Sequence, residues 1–384
     1  MMQLPIYFDY NATTPVDPRV LEAMLPFYTV HFGNAASKSH VFGWQADEAV
    51  TIAREQIAAL IHANANEIIF TSGATESVNL ALKGIAESYA LKGNHIITLT
   101  TEHKAVLDTC KRLEQKGIAV TYLPVQLNGL VNLSDLEAAI QPNTILIAVM
   151  YANNEIGVIQ NIAAISAIAK QHNVLFFSDA TQAVGKIPVN VLQDGIDVMA
   201  FSAHKMYGPK GVGALYVRRK NPRVKLMSQI DGGGHEKGMR SGTLNVPGIV
   251  GFGKAAEICQ QQREQDATNT AYLRNKLEAA LLQIKGTIIN GSVEHRLPHV
   301  SNVSFQNRDG DALLRAFNKH IAVSSGSACT SATLQPSHVL KAIGVSDDLA
   351  LSSVRFSLGR FSTETEVNAA IQLIEKTLQQ LPTI

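Results

Sequence analysis

The chain has 384 residues, enough for one large domain and a smaller one, and its 46% hydrophobic and 17% charged composition is that of a globular protein with a sizeable core. Lysine and arginine exceed aspartate and glutamate by one, which points away from a nucleic-acid binder or a membrane-surface protein. The longest clean apolar run, around Ile145 to Met150, is far too short for a membrane span. The first ten residues lack a basic stretch followed by an apolar one, so the expected location is the cytoplasm.

From Val16 to Val217, helical periodicity alternates with short β-branched runs, the signature of an open α/β sheet with helices on both faces. In chain order the pattern predicts a helix over 45–61, a strand over 67–71, a helix over 75–89, a strand over 95–100 and a helix over 103–116. A strand over 119–124 follows, closed by the turn pair Asn128-Gly129, and then strands over 144–150, 174–178 and 198–202. A long helix starting at Pro247 and running to about Lys285 carries the chain out of this unit. Strands over 287–290, 302–306 and 353–358 and helices over 311–320 and 363–381 then suggest a small α+β domain. The expected division is a large domain over 16–262 and a small one built from 1–15 and 263–384.

Three cysteines at wide spacing fit neither a disulfide framework nor paired metal ligands, and no metal site is expected. Cys110 and Cys259 fall in helical patterns and read as small buried hydrophobes. Cys329 lies instead in Ser324-Ser325-Gly326-Ser327-Ala328-Cys329-Thr330-Ser331-Ala332-Thr333, a stretch of small polar residues without periodicity. That composition predicts an exposed, mobile loop carrying a free thiol.

Two strand ends finish in functional polar residues, Phe177-Ser178-Asp179-Ala180-Thr181-Gln182 and Phe201-Ser202-Ala203-His204-Lys205. Ligands of open α/β sheets sit at the carboxyl ends of strands. A lysine placed there can form a Schiff base with an aldehyde cofactor, and a nearby aspartate can keep a pyridine nitrogen cationic. Taken singly, the two read as a surface lysine and a strand-end cap; together, with Ser202 and His204, they describe pyridoxal phosphate. Thr71-Ser72-Gly73-Ala74-Thr75-Glu76 turns from a strand through glycine into a helix, either an ordinary helix cap or a seat for the cofactor phosphate.

These segments resemble the cysteine desulfurases, class V pyridoxal-phosphate enzymes, and within them the housekeeping iron–sulfur-cluster (IscS/NifS) type. Tyr10-Asn11-Ala12-Thr13-Thr14-Pro15, Thr101-Glu102-His103-Lys104, Asn153-Asn154-Glu155-Ile156-Gly157, Gly232-Gly233-Gly234-His235-Glu236, Arg240-Ser241-Gly242-Thr243 and the Cys329 stretch also carry the likeness, which runs from about Ile6 to Arg360. It implies fold type I of the pyridoxal-phosphate enzymes, a large domain with a mainly parallel sheet flanked by helices beside the small α+β domain. Lys205 is then the Schiff-base lysine, Asp179 the partner of the ring nitrogen, Gln182 a donor to the ring oxygen, and His103 the residue that stacks on the ring and relays protons. Ala74, Thr75, Ser202 and His204 hold the phosphate, with Thr243 supplied by the second subunit of a homodimer. Asn154 adjoins the cofactor and, with Arg355, grips the substrate carboxylate, a task suited to arginine's planar fork.

The activity so implied is conversion of L-cysteine to L-alanine, with the sulfur held on Cys329 as a persulfide. Delivery to sulfur-acceptor proteins such as an iron–sulfur scaffold follows, where Cys329 contacts a partner's cluster only transiently, and tRNA thiolation is a second outlet. Selenocysteine lyase or another class V enzyme is the alternative. Ala35 and Lys237 stand where the family usually has proline and arginine, and the family's scaffold-engaging tail extends past the position of Ile384. The basic run Arg218, Arg219, Lys220, Arg223 and Lys225 reads as a solvated turn or as a dock for acidic partners.

Overall fold

The β-branched runs pair as the alternation predicts. The computed structural model describes residues 4–325 and 335–382. Among these, seven strands form one sheet in the order Ile68–Thr71, Gly213–Val217, Val198–Ser202, Leu175–Asp179, Thr144–Ala148, His95–Leu99, Ala119–Leu123. Gly213–Val217 runs antiparallel to both neighbours, and the other pairs are parallel. It is the strand that precedes the basic run starting at Arg218. Its direction follows from the connection: the short 203–212 segment has no room for a crossover helix, so the chain must return antiparallel.

Both faces of the sheet are covered, which is why its strands are nearly continuous hydrophobic runs. One face packs Ile97, Ile147, Phe176 and Phe201 against Val50 and Ile57 of the Val41–Leu60 helix and Ile249 and Phe252 of the Val246–Leu281 helix. The other packs Ile96, Leu146 and Phe177 against Val78, Leu82 and Ile85 of the Ala74–Ser88 helix and Val106 and Leu113 of the Lys104–Glu114 helix. The Val41–Leu60 helix starts four residues before its predicted onset because the His40 side chain accepts the Gly43 N–H and caps it.

The long helix spans Val246–Leu281, with Pro247 in its first turn and Asn245 as its cap. Its first half sits in the large core. Its second half contributes Leu273, Leu277 and Leu281 to a separate core with Phe8, Val303, Phe317, Phe356 and Ile374. That second core lies on a four-stranded antiparallel sheet ordered Ser324–Ser325, Ser353–Ser357, Val300–Phe305, Thr287–Ile289. The N-terminal strand Ile6–Tyr7 pairs in parallel with Ile321–Ala322, which brings residues 6–12 back against the C-terminal part of the chain. No helix among the described residues is long and apolar enough to cross a membrane.

Three features position the site. Thr71, Gly213 and Ser202 lie side by side in register, so the last residues of two strands, the first residue of the antiparallel one between them and the adjoining turns meet at one end of the sheet. A Cβ on Gly213 would stand 2.6 Å from the Gly73 Cα, so glycine is what allows that close approach. The largely buried Arg54–Glu236 ion pair (2.7 Å) also gives Glu236 the Phe70 N–H, fastening the Gly-His-Glu segment to the first strand.

Candidate active site

A cavity of about 580 Å³ opens at this end, and its lining draws on both halves of the chain. Ala74, Thr75, His103, Asn154, Asp179, Gln182, Ser202, His204, Lys205 and Arg355 all line it. Of the remaining predicted residues, Thr243 is exposed and does not line the cavity of its own chain, and Cys329 lies outside the described residues.

Lys205 ends the short 3₁₀ turn Ala203–Lys205 that follows the strand Val198–Ser202. Its Nζ donates to the main-chain oxygens of Asn11 and Ala12, both at 2.6 Å. Burial, aided by the positive charge of Arg355, lowers its pKa to about 8, while Asp9 and Asp179 act the other way. An appreciable part of this amine is therefore free near neutrality, as an amine that must attack an aldehyde has to be. The sign gives a test: in cofactor-free protein, covalent capture of pyridoxal phosphate should accelerate about tenfold per pH unit below pH 8 and level off above it. Growth of the visible absorbance on mixing reads this rate, and a pH-independent rate between 6 and 8 would contradict the depressed amine.

Asp179 is the last residue of its strand, one position beyond the predicted strand end, and is buried. One carboxylate oxygen accepts both the N–H and the hydroxyl of Thr181, an arrangement that fixes its orientation. Gln182 donates from Nε2 to the Asn11 carbonyl (3.0 Å), and its Oε1 accepts from Lys186 (2.7 Å). His204 shares a hydrogen bond with Thr13, and burial, followed by nearby lysines, drops its pKa to about 4, so it is neutral at pH 7. Ser202 donates weakly to the Val212 carbonyl.

The Ala74–Ser88 helix begins directly at the cavity, so its first N–H groups point there with no intrahelical acceptor. His103 caps the Lys104–Glu114 helix by accepting the Ala105 N–H at Nδ1. Arg355, in the strand Ser353–Ser357, donates to Asp9, to the Ser324 hydroxyl and to the Asn154 main-chain oxygen. An amine, a buried carboxylate, a helix N-terminus with hydroxyls nearby, and an arginine on one cavity fit an aldehyde-bearing pyridine phosphate and an amino-acid carboxylate.

Several contributors had no role assigned from sequence. Asn11 is the hub: its main-chain oxygen takes Lys205 and Gln182, its side-chain amide donates to the Asn154 oxygen, and its Oδ1 meets His299 and Lys186. It belongs to a recognised motif, which was the available signal. Glu102 is fully buried, accepts the Met150 N–H, and has its acidity strongly suppressed by burial. The described residues on either side of Cys329 contact a residue of the cavity lining or its chain neighbours. Ser324 touches Arg355 and Asp9, Ser337 donates to Glu155, and His338 hydrogen-bonds the Glu102 carbonyl. The basic run divides. Arg218 is tied to Asp197 and to the Val191 and Ile196 carbonyls, whereas Lys220, Arg223 and Lys225 are exposed.

The aminotransferase class-V family model matches residues 6–370. The chain is 58% identical over 381 residues to cysteine desulfurase IscS of Anaeromyxobacter dehalogenans (strain 2CP-C), covering 99% of this chain and 94% of that protein. It is 56% identical over 382 residues to cysteine desulfurase IscS of Escherichia coli (strain K12 / DH10B), with the same coverage. Among solved structures, a NifS-like protein superposes with a TM-score of 0.91 at 41% identity, covering 98% of this chain and all of that one. SspA in complex with cysteine superposes at 0.83 with 39% identity, covering 93% and 100%.

Proposed function

The chain belongs to the class-V aminotransferase family, and from that premise we propose that it is a pyridoxal-phosphate-dependent cysteine desulfurase using Lys205, Cys329 and His103 for its chemistry. The observation that carries this reading is the meeting of Lys205, Asp179, the N-terminus of the Ala74–Ser88 helix and Arg355 on one cavity. When bound, the cofactor supplies an electron sink for carbanion chemistry at the substrate.

The chain's own residues divide the remaining work. Asp179 would pair with the pyridine nitrogen, Gln182 would donate to the ring oxygen, and His103 would stack on the ring and carry protons. Ala74, Thr75, Ser202 and neutral His204 would hold the phosphate, and Asn154 and Arg355 would orient the L-cysteine carboxylate. The Cys329 sulfur bonds to the substrate sulfur as the substrate's C–S bond breaks; the β-carbon gains a proton, L-alanine leaves, and a persulfide remains. Residues 16–262 form the cofactor-binding unit, and 1–15 with 263–384 form the unit that carries Cys329.

The partner that completes the site is a second copy of the chain. Leu21, Leu25, Tyr28, Phe32, Phe42 and Trp44 are all at least 45% exposed, an unusual concentration of large apolar side chains within 24 residues. Exposed Thr243 is free to serve the phosphate of the neighbouring copy. The sulfur passes to acceptor proteins, an iron–sulfur scaffold among them, in the cytoplasm.

The deciding assay incubates the cofactor-loaded protein with L-cysteine and a thiol reductant. Equal amounts of alanine and sulfide are expected, with no amino-group exchange with added keto acids; exchange without sulfide would make it an aminotransferase instead. L-selenocysteine in place of L-cysteine separates the lyase alternative.

A further inference from the structure

The subsite that receives the substrate carboxylate already contains a carboxylate. Asp9 Oδ1 accepts from Arg355 Nη2 at 2.6 Å, and both groups are largely buried, the Arg355 side chain 10% and that of Asp9 18% exposed. The Ser324 hydroxyl closes a triangle, accepting from the same Nη2 at 2.9 Å and donating to the same Asp9 oxygen at 2.9 Å.

A donor count sharpens the point. Guanidinium has five N–H groups. Both on Nη2 are engaged, by Asp9 and Ser324, and one on Nη1 goes to the Asn154 carbonyl. Nε is buried and has no partner among the described residues. Either two-pronged face of the fork that a carboxylate could grip includes Nη2, since the prongs are Nε with Nη2 or Nη1 with Nη2. A substrate carboxylate therefore cannot make parallel bonds to Arg355 without taking an Nη2 hydrogen from Asp9 or Ser324.

Asp9 is not free to withdraw with its backbone. Its main chain bridges Ser357, and its carbonyl oxygen accepts the Ala12 N–H and the Tyr7 hydroxyl. Only its side chain can turn aside, and its negative charge stays near the incoming one.

We propose that Asp9 is a specificity-determining residue that occupies Arg355 in place of the substrate carboxylate, so that every anionic ligand binds against a resident negative charge. The pair leaves the subsite close to neutral, which permits the carboxylate of a zwitterionic amino acid and weakens simple anions that lack the ammonium group. This rests on the assignment of Arg355 to the substrate carboxylate.

The test uses cofactor-loaded protein and propionate, followed by calorimetry, with L-cysteine kinetics alongside. Asp9→Asn keeps the shape and removes the charge. Propionate should bind about tenfold more tightly to the variant, whereas KM for L-cysteine should fall by about threefold or less with kcat little changed; an equal gain for both would show that Asp9 does not discriminate and would overturn the proposal. Weaker propionate binding would mean that Asp9 only orients Arg355, and equal binding that its charge is not felt; either overturns the proposal. Should the variant not fold, a crystal structure of the unsubstituted protein with L-alanine decides. The Asp9–Arg355 contact should be opened beyond hydrogen-bond distance, and an intact contact with the ligand carboxylate on Arg355 overturns the idea. If the unsubstituted protein makes alanine from L-cysteine yet neither ligand reaches Arg355, the carboxylate assignment falls along with this proposal. If it makes no alanine at all, the desulfurase reading itself fails.

Discussion

Replacing Cys329 with alanine is expected to cut alanine formation from L-cysteine by a factor of about 10³ or more while leaving the visible spectrum of the bound cofactor unchanged. The size of the effect follows from the division of labour. The groups proposed to hold the cofactor and substrate all belong to other residues, so Cys329→Ala removes only the proposed acceptor of the sulfur atom. No other thiol can substitute among the described residues: Cys110 and Cys259 are buried, and burial pushes their pKa values up to about 12 and about 11, so neither offers a thiolate at neutral pH. The flanking residues strengthen the assignment: Ser324 contacts Arg355, which lines the cavity, and His338 contacts the carbonyl of Glu102, the chain neighbour of His103. The check is alanine release together with mass measurement of the protein after L-cysteine. The native chain should gain one sulfur, and the variant none. An undiminished alanine rate in the variant would remove Cys329 from the mechanism.

Lys205→Ala should have the second large effect, a loss of turnover of about 10³-fold or more, with a different signature. Here the cofactor's covalent attachment goes. Borohydride treatment should fix the cofactor permanently to the native chain and leave it extractable from the variant. The substitution also takes a donor from the Ala12 carbonyl and from that of Asn11, which keeps Gln182; this cost of about 1–3 kcal/mol is opposed by relief of the penalty for burying an amine whose pKa is lowered to about 8. Chemical denaturation of the cofactor-free forms measures the balance separately from catalysis. A variant that still retained cofactor against borohydride and extraction would show that a different amine holds it. Lys186 is the neighbouring candidate, because it too is a desolvated lysine next to Asn11 and Gln182.

The two variants fail at different points, and that distinction follows from geometry. Lys205 follows a strand of the large sheet, whereas the Cys329 segment follows the Ser324–Ser325 strand of the four-stranded sheet. A rigid scaffold with the reactive groups on its strand-end turns is how open α/β sheets generally carry chemistry.

Much of this arrangement is legible in the linear sequence because each piece is local. A strand followed by Ser202-Ala203-His204-Lys205, or one ending in Asp179 with Gln182 after it, puts its polar residues at the sheet edge whatever the rest of the chain does. The longer strands were readable, and most boundaries came within a few residues. The missed elements include the helices Pro18–Met24, Leu133–Ala138, Ile162–Gln171, His338–Ala342 and Asp347–Leu351 and the two-residue strands Ile6–Tyr7, Ile321–Ala322 and Ser324–Ser325, the last lying in the stretch read as a loop. Short apolar runs carry too little periodicity to separate strand from helix.

By itself, then, the sequence determined the class of the fold, the motif residues and the kind of cofactor they suit, because hydrophobic period, strand-end polarity and helix-start chemistry are properties of neighbours along the chain. Only the tertiary structure decided which of those residues share one cavity and what their groups are already bonded to. Asp9 meets Arg355 across 346 positions, and Asn11 meets Lys205 across 194 and His299 across 288. No local pattern encodes those meetings. They arise because residues 6–12 return to pack against the C-terminal part of the chain, where burial, more than any local sequence preference, lowers the Lys205 amine to about 8 and where Asp9 meets Arg355.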